Sequence, residues 1–358
     1  MPRPTVAAIH LSAIRANFRQ AGELARGADT MAVIKANGYG HGLVEVARAL
    51  SETARCYAVA CIEEAISVRQ AGLRHPVVLL EGVHQAVDLQ VCHHEHFEPV
   101  IHCEEQLQWL EATNVQLSLW LKVNSGMNRL GLRPDRIEDA LARMRRQGHT
   151  IRGLMSHFAC ADDPQSPMTQ QQSETLVALG RPHPELLLSA CNSAAHFLPH
   201  QPSFDWTRPG IMLYGGSPLL GKRGCDLNLL PAMSLQSELI SVRDIAAGES
   251  VGYGMTWTAE QPTRMGIVCI GYGDGYPRHA GTGTPAWVRD TTVRLIGRVS
   301  MDMLALDLSA VPEARVGDRV ELWGEHISID DVATSAGTIS YELLTQISQR
   351  VPRVYYDH

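Results

Sequence analysis

What most constrains the fold of this 358-residue chain is an alternation that runs through its first two thirds. Eight short apolar runs, MAVIK, YAVAC, PVVLLE, EPVIH, LSLWLKV, IRGLMSH, ELLLSAC and FDWTR, read as strands. Between them stand segments of helical periodicity such as GLVEVARAL, IEEAISVRQAG, EEQLQWLEAT and RIEDALARMRRQG. Eight rounds of strand and helix predict an α/β fold with an N-terminal (β/α)8 TIM-type barrel; a doubly wound sheet is the alternative. After about Gly221 the texture changes. Alternating β-branched residues, the Gly-rich turn GYGDGYPRHAGTGTP and short runs such as RLIGRV and RVELWG predict a C-terminal, mostly β domain. The expected division is 11–225 for the barrel and 226–358 for the β domain. The strand-like opening, within residues 1–10, is expected to join the second domain, although periodicity does not decide its pairing.

Composition excludes several function classes. The 31 basic and 38 acidic residues give a net charge of -7 with no block of like charge, so no nucleic-acid partner is expected. No apolar run approaches bilayer length, and the opening residues are broken by polar ones at helical spacing, so neither membrane segment nor signal peptide is expected. The eight cysteines are scattered, without a CxxC pair, in settings such as YAVAC and GIVCIG. Reduced, buried thiols of a cytoplasmic protein have this pattern.

A barrel of this type builds its active site from the ends of its strands and the loops just beyond them. The polar residues there are Lys35, Lys122, His157, Asn192, Ser193 and Arg208, with Arg129 seven residues past Lys122. In MAVIKANGYGHG an apolar strand ends on Lys35, and Gly38, Gly40 and Gly42 follow. A Walker-type phosphate loop has its lysine after the glycines, and the dinucleotide fingerprint has a different glycine spacing, so neither fits. What is left is a lysine at a strand mouth beside permissive backbone, the plain alternative being a solvated lysine that caps the strand. Cations converging on one mouth suit an anionic ligand. The segment RPGIMLYG, after the eighth strand, lies where barrels commonly hold phosphate. A lysine among other cations has a lowered pKa, which favours its neutral, nucleophilic form. Lysine, phosphate pocket and barrel together point to pyridoxal phosphate held as a Schiff base.

The segments AVIKANGYGHG, LKVNSGMNRLG, MSHFACAD, CNSAA, DWTRPGIMLYG, VGYG, IGYGDGYPR, GRVSMDM and YELLTQISQRVPR resemble the alanine racemase family in order and spacing along nearly the whole chain. The resemblance implies a pyridoxal 5'-phosphate enzyme that interconverts L- and D-alanine, for peptidoglycan or for catabolism. It also implies a homodimer whose active sites mix residues of both chains. Lys35 and the partner chain's Tyr253 would be the two bases, one on each face of the substrate Cα, as inversion requires. Tyr39, Ser193, Gly210, Ile211 and Tyr341 would hold the phosphate, with Asn192 among the cofactor contacts. Arg208 would face the pyridine nitrogen, supported by His157; an arginine keeps its own proton and leaves that nitrogen unprotonated, so the ring is a weaker electron sink. Arg129 and the backbone at Met301 would bind the substrate carboxylate, with Tyr272 and Asp302 nearby in the second chain's wall. Lys122 would be carbamylated, which relieves its repulsion of Arg129. Gly38 and Gly273 stand where the family usually has alanine, which loosens the backbone locally and removes no chemical group.

Two other readings stay in view. A barrel pyridoxal phosphate decarboxylase of basic amino acids would be expected to set a carboxylate against the pyridine nitrogen, and Arg208 speaks against it. A non-catalytic pyridoxal phosphate carrier resembles the barrel alone, so the β domain with Tyr253 and Met301 speaks against that. The cluster CHHEHF, Cys92 to Phe97, has metal-ligand residue types but precedes the fourth strand, on the stability face of a barrel, so no metal is expected. His41 reads as a structural loop histidine, and the six tryptophans as packing.

Overall fold

The computed structural model describes residues 3–199 and 204–357. Eight parallel strands close into a barrel: β2 (Asp29–Val33), β3 (Cys56–Val59), β4 (Val77–Leu79), β5 (Phe97–Ile101), β6 (Ser118–Lys122), β7 (Thr150–Met155), β8 (Leu187–Ser189) and β9 (Trp206–Thr207). The ring shuts where Asp29 and Thr30 pair with Trp206 and Thr207. Each strand coincides with one of the eight apolar runs. Cys56–Val59 and Val77–Leu79 are buried along their whole length, because helices cover the outside and packed side chains fill the inside. The helices obey local chemistry. Ile137–Arg146 carries Glu138 and Asp139 in its first turn and Arg143, Arg145 and Arg146 in its last, opposite in sign to the two ends of its dipole.

The C-terminal unit is an eight-stranded sheet. The strands are β1 (Val6–His10), β10 (Met233–Ile245), β13 (Thr263–Val268), β14 (Pro285–Val288), β15 (Thr291–Ile296), β16 (Leu304–Asp307), β17 (Arg319–Trp323) and β18 (Arg353–Tyr356). Two short strands, β11 (Ser250–Val251) and β12 (Trp257–Thr258), form a separate hairpin. Their order is β13-β16-β15-β14-β17-β10-β1-β18, and the long β10 also pairs β13, so six of them come round on themselves. Strand β1 lies antiparallel to β10 and parallel to β18. The chain thus passes from this sheet into the barrel through helix Leu11–Leu24 and returns after it.

Two polar ties fix the sheet to the barrel. Asn17, buried in that first helix, donates to the carbonyls of Leu213 and Leu230 and accepts from the Leu230 N–H. Arg353 on β18 donates to the carbonyl of Gly40 at 3.2 Å, while its other nitrogens bind the carbonyls of Ile347, Ser348 and Val351. The C-terminal unit therefore lands on the loop that follows Lys35. Among the described residues no helix is long and apolar enough to cross a membrane, and no group of three or more His, Cys, Asp or Glu side chains is placed to hold a metal. In the His-rich segment, His93 instead pairs with the Gln116 carbonyl and His94 with Glu95.

Candidate active site

The backbone beyond Lys35 is unusual. Ala36, Asn37, Gly38 and Tyr39 lie at φ of 53°, 55°, 60° and 51°, and Gly40 follows at 83°. They form one left-handed helical turn, which costs about 1 kcal/mol for each residue with a side chain. The turn puts Lys35 at its entrance and Tyr39 at its exit, one at each end of a single rigid element. Gly40 is required for a second reason: a Cβ there would stand 2.1 Å from the Leu344 carbonyl of helix Ser340–Gln346. His41, fully buried, shares its Nδ1 with the carbonyls of Gly38 and Tyr39 and lies against the Tyr214 ring. Burial lowers its pKa to about 4, so it is a neutral packing group, in keeping with its structural reading.

A cavity of about 820 Å³ opens at the C-terminal ends of the barrel strands. It gathers Lys35, Tyr39, Lys122, Arg129, His157, Asn192, Ser193, Arg208, Gly210, Ile211 and Tyr341, all of which the sequence had singled out. Arg208 is buried and donates to the Ser156 carbonyl at 2.5 Å and to the Ser189 hydroxyl, with the His157 Nδ1 at 3.4 Å. Burial, then the charge of Arg208, pushes the His157 pKa well below its ordinary value, so His157 stays neutral beside the guanidinium. No described carboxylate lies within ion-pair distance of Arg208 or Arg129. At the far end, the Ser193 hydroxyl accepts from the Gly210 N–H at 2.8 Å. A Cβ on Gly210 would meet the Tyr39 hydroxyl at 2.3 Å, so only glycine lets that phenol approach the backbone. Tyr39 stacks on Tyr214 and has Tyr341 beside it, 6.3 Å between ring centroids.

The two lysines are both held toward neutrality. Burial lowers the pKa of Lys35 most; Arg129 lowers it further, while Glu81 and Glu64 oppose. The neighbouring cations are thus the smaller cause, not the main one the sequence suggested. Lys122 is lowered to about 7, first by burial and then by Arg208, Arg129 and Lys35. Sequence reasoning missed Glu81, the carboxylate that lines this cavity close to the cations, along with Thr338, Ile339, Glu342 and Thr345. Glu81 stands two residues past β4, at a strand end like the others, so position alone was a signal. The Thr338–Thr345 segment comes from the β domain, where Tyr341 was marked only through the family resemblance and its neighbours have no strand-end position to mark them.

Four proposed site residues do not line this cavity. Tyr253, Tyr272 and Met301 sit on the β unit, 71%, 39% and 52% exposed, and Asp302 pairs with Arg350 at 2.7 Å. They belong to neighbouring segments. The Tyr272 and Gly273 N–H groups bind the carbonyls of Ser300 and Met301, and the turn around Gly252 and Gly254 lies against Arg298.

A closed parallel barrel whose strand-end cavity gathers Lys35, Arg208, Ser193 and Gly210, followed by a mostly β unit, has the architecture of a barrel enzyme of the pyridoxal phosphate class. Residues 9–218 match the alanine racemase N-terminal domain and residues 232–355 the alanine racemase C-terminal domain. The chain is 59% identical to an alanine racemase of Marinobacter nauticus, covering 99% of this chain and 100% of that one. The crystal structure of the biosynthetic alanine racemase from Pseudomonas aeruginosa superposes with a TM-score of 0.95 at 47% identity, over 99% of each chain. An alanine racemase from Bartonella henselae with covalently bound pyridoxal phosphate superposes at 0.89 with 27% identity, over 99% of this chain and 100% of that one. The chain belongs to the alanine racemase family.

Proposed function

We propose that this protein interconverts L- and D-alanine in the cytoplasm, as a homodimer carrying pyridoxal 5'-phosphate on Lys35, the carrying observation being the cavity that joins that half-buried lysine to the Tyr39, Ser193 and Gly210 cradle. The cradle fits a phosphate: a hydroxyl and backbone groups just past the C-terminal end of the last barrel strand, with Ile211 and Tyr341 also lining the cavity. Arg129, an unpaired cation among the described residues, fits the substrate carboxylate. When bound, the cofactor supplies a sink for the electron pair left on the substrate Cα as its proton departs. Arg208 limits that sink, because a charged guanidinium pinned by Ser156 and Ser189 keeps its protons and does not transfer one to the ring nitrogen. Lys35 Nζ, held toward neutrality, takes or returns the Cα proton on one face.

Tyr253 serves the opposite face, and it comes from the partner chain. Its 71% exposure, beside exposed Tyr272 and Met301, leaves a polar-aromatic surface suited to covering a second copy's cavity. The backbone at Met301 and the side chains of Tyr272 and Asp302 then complete the wall around the substrate. Lys122, with a substantial neutral fraction at pH 7, adds carbon dioxide through its neutral amine and releases a proton to become a carbamate, an anion that interacts favourably with Arg129 and Arg208. Intact mass at neutral pH, with and without bicarbonate, reads this as the gain of one carbon dioxide. The units doing this work are 11–225 and 226–358 with the first strand. The product suits either peptidoglycan supply or the reverse, catabolic direction.

The test is to incubate purified protein separately with L-alanine, L-serine and L-lysine and follow optical rotation, with visible absorption before and after borohydride. A yellow protein that racemises alanine, and whose colour is lost in Lys35→Ala, meets the proposal. A colourless protein unchanged by added pyridoxal phosphate overturns it.

A further inference from the structure

The left-handed turn raises a bookkeeping question for its backbone. The Ala36 N–H is the first donor of the turn and has no acceptor within it. Glu64 supplies one: its Oε1 accepts from Ala36 at 2.7 Å, and its Oε2 accepts from Ala60 at 2.8 Å. Glu64 is the third residue of helix Ile62–Gln70, which follows β3, whereas Ala36 follows β2. A single carboxylate therefore holds the backbone just ahead of its own helix and reaches across to the loop after the preceding strand.

The arrangement recurs at alternate junctions of the barrel. After β5, Gln106 is also the third residue of its helix, Glu104–Ala112. Its Oε1 accepts from His102 N–H at 2.9 Å, and its Nε2 donates to the Val83 carbonyl, beyond β4, at 3.0 Å. After β7, Gln172 accepts from the Ala159 N–H and donates to the His157 carbonyl and to the hydroxyl of Ser125, beyond β6. The residue type at each clasp matches its partners. Gln106 and Gln172 each meet both a donor and acceptors, which an amide satisfies. Glu64 meets two N–H groups and no acceptor, which only a carboxylate satisfies with both oxygens.

We propose that Glu64 is a positioning residue for the reaction: its carboxylate holds the left-handed turn in place and so sets Lys35 and Tyr39 relative to each other. This rests on the reading of Lys35 as the cofactor lysine. Two features make the turn dependent on such a clasp. Ala36 and Asn37 are exposed, and the Cβ of Ala36 disfavours positive φ, which Asn37 tolerates. The far end of the turn is already fixed by Arg353 and His41, whereas the entrance, next to Lys35, has Glu64. The carboxylate also favours the protonated form of Lys35, so its removal alters charge as well as position.

The experiment compares wild type with Glu64→Gln and Glu64→Ala in two ways. Hydrogen exchange of the peptide covering 35–42 is measured in the cofactor-free protein, and the dissociation constant of pyridoxal phosphate is measured from its visible band well below the melting temperature. Loss of a charge-assisted hydrogen bond predicts exchange and dissociation constant both raised about tenfold in each variant, with kcat reduced more than KM is changed. A merely structural Glu64 would lower the melting temperature and leave the dissociation constant and the ratio of kcat to KM effects untouched. Folded variants with wild-type exchange across 35–42, or with a wild-type dissociation constant, overturn the proposal. Should both variants fail to fold, Glu64→Asp carries the test, since it retains the charge and the hold on the backbone ahead of its own helix but falls short of Ala36. A wild type that binds no pyridoxal phosphate defeats the cofactor reading instead, and the exchange measurement still decides whether Glu64 holds the turn.

Discussion

Lys122 shows how one residue's surroundings set both its chemistry and its cost. Its folded pKa of about 7 lies below the ordinary 10.5, so between those values the unfolded chain binds a proton that the folded one does not. Stability must then rise with pH across that window, and Lys35, lowered as well, acts with the same sign. In buffer free of carbon dioxide, the melting temperature of the cofactor-free protein is expected to climb from pH 7 to pH 9. Lys122→Met should flatten the climb; an equally steep rise in that variant would mean that another group drives it. Arg208 supports a second expectation. Arg208→Glu offers the ring nitrogen a group that stabilises its protonated form, deepening the electron sink. Racemisation should slow by about tenfold or more, and the share of turnovers ending in transamination should rise. That share is independent of how much of the variant folds, so an unchanged share with wild-type racemisation would refute the electronic role.

Among the elements, the eight barrel strands were legible because a buried parallel strand is a continuous apolar run, and several runs end on or just before a polar residue at the mouth. The strand ends therefore also disclosed Lys35, Lys122, His157, Asn192, Ser193 and Arg208. The left-handed turn was only partly legible: Asn37 and Gly38 tolerate positive φ, but Ala36 and Tyr39 carry no such signal, and the contacts that hold the turn come from Glu64, Leu344 and Arg353, which are distant in sequence. For the same reason the pairing of β1 with β10 and β18 was beyond periodicity, since it depends on partners that local patterns do not name. The crowding at Gly40 predicts a sharp effect from one methyl group. Gly40→Ala combines positive φ with a Cβ driven against the Leu344 carbonyl, and should cost about 2–4 kcal/mol of stability. Because helix Ser340–Gln346 must withdraw, Tyr341 should leave the cradle as well. Chemical denaturation and pyridoxal phosphate titration check both parts, and a variant with wild-type midpoint and affinity would contradict the packing argument.

For the molecule as a whole, the barrel holds one proposed base and the β unit the other, and only the first lies in the cavity of its own chain. A mixed dimer of Lys35→Ala and Tyr253→Phe chains would have one site with both defects and one with neither. Unfolding the two variants together and refolding them should restore roughly a quarter of wild-type D-alanine formation if chains reassort evenly and both parents are inactive. No recovery despite proven mixed dimers would mean that both bases act from one chain. Strand β1 has a consequence of another kind. It emerges from the ribosome ahead of the entire barrel, yet its two neighbours, β10 and β18, are translated only afterwards. The nascent barrel can close while β1 still hangs from its first helix as an unpaired strand, and β18 is made later still than β10. Until β10 is made the chain therefore carries an exposed apolar edge, Val6 to Ile9, that a holdase can shield and a crowded polysome can turn into an aggregate.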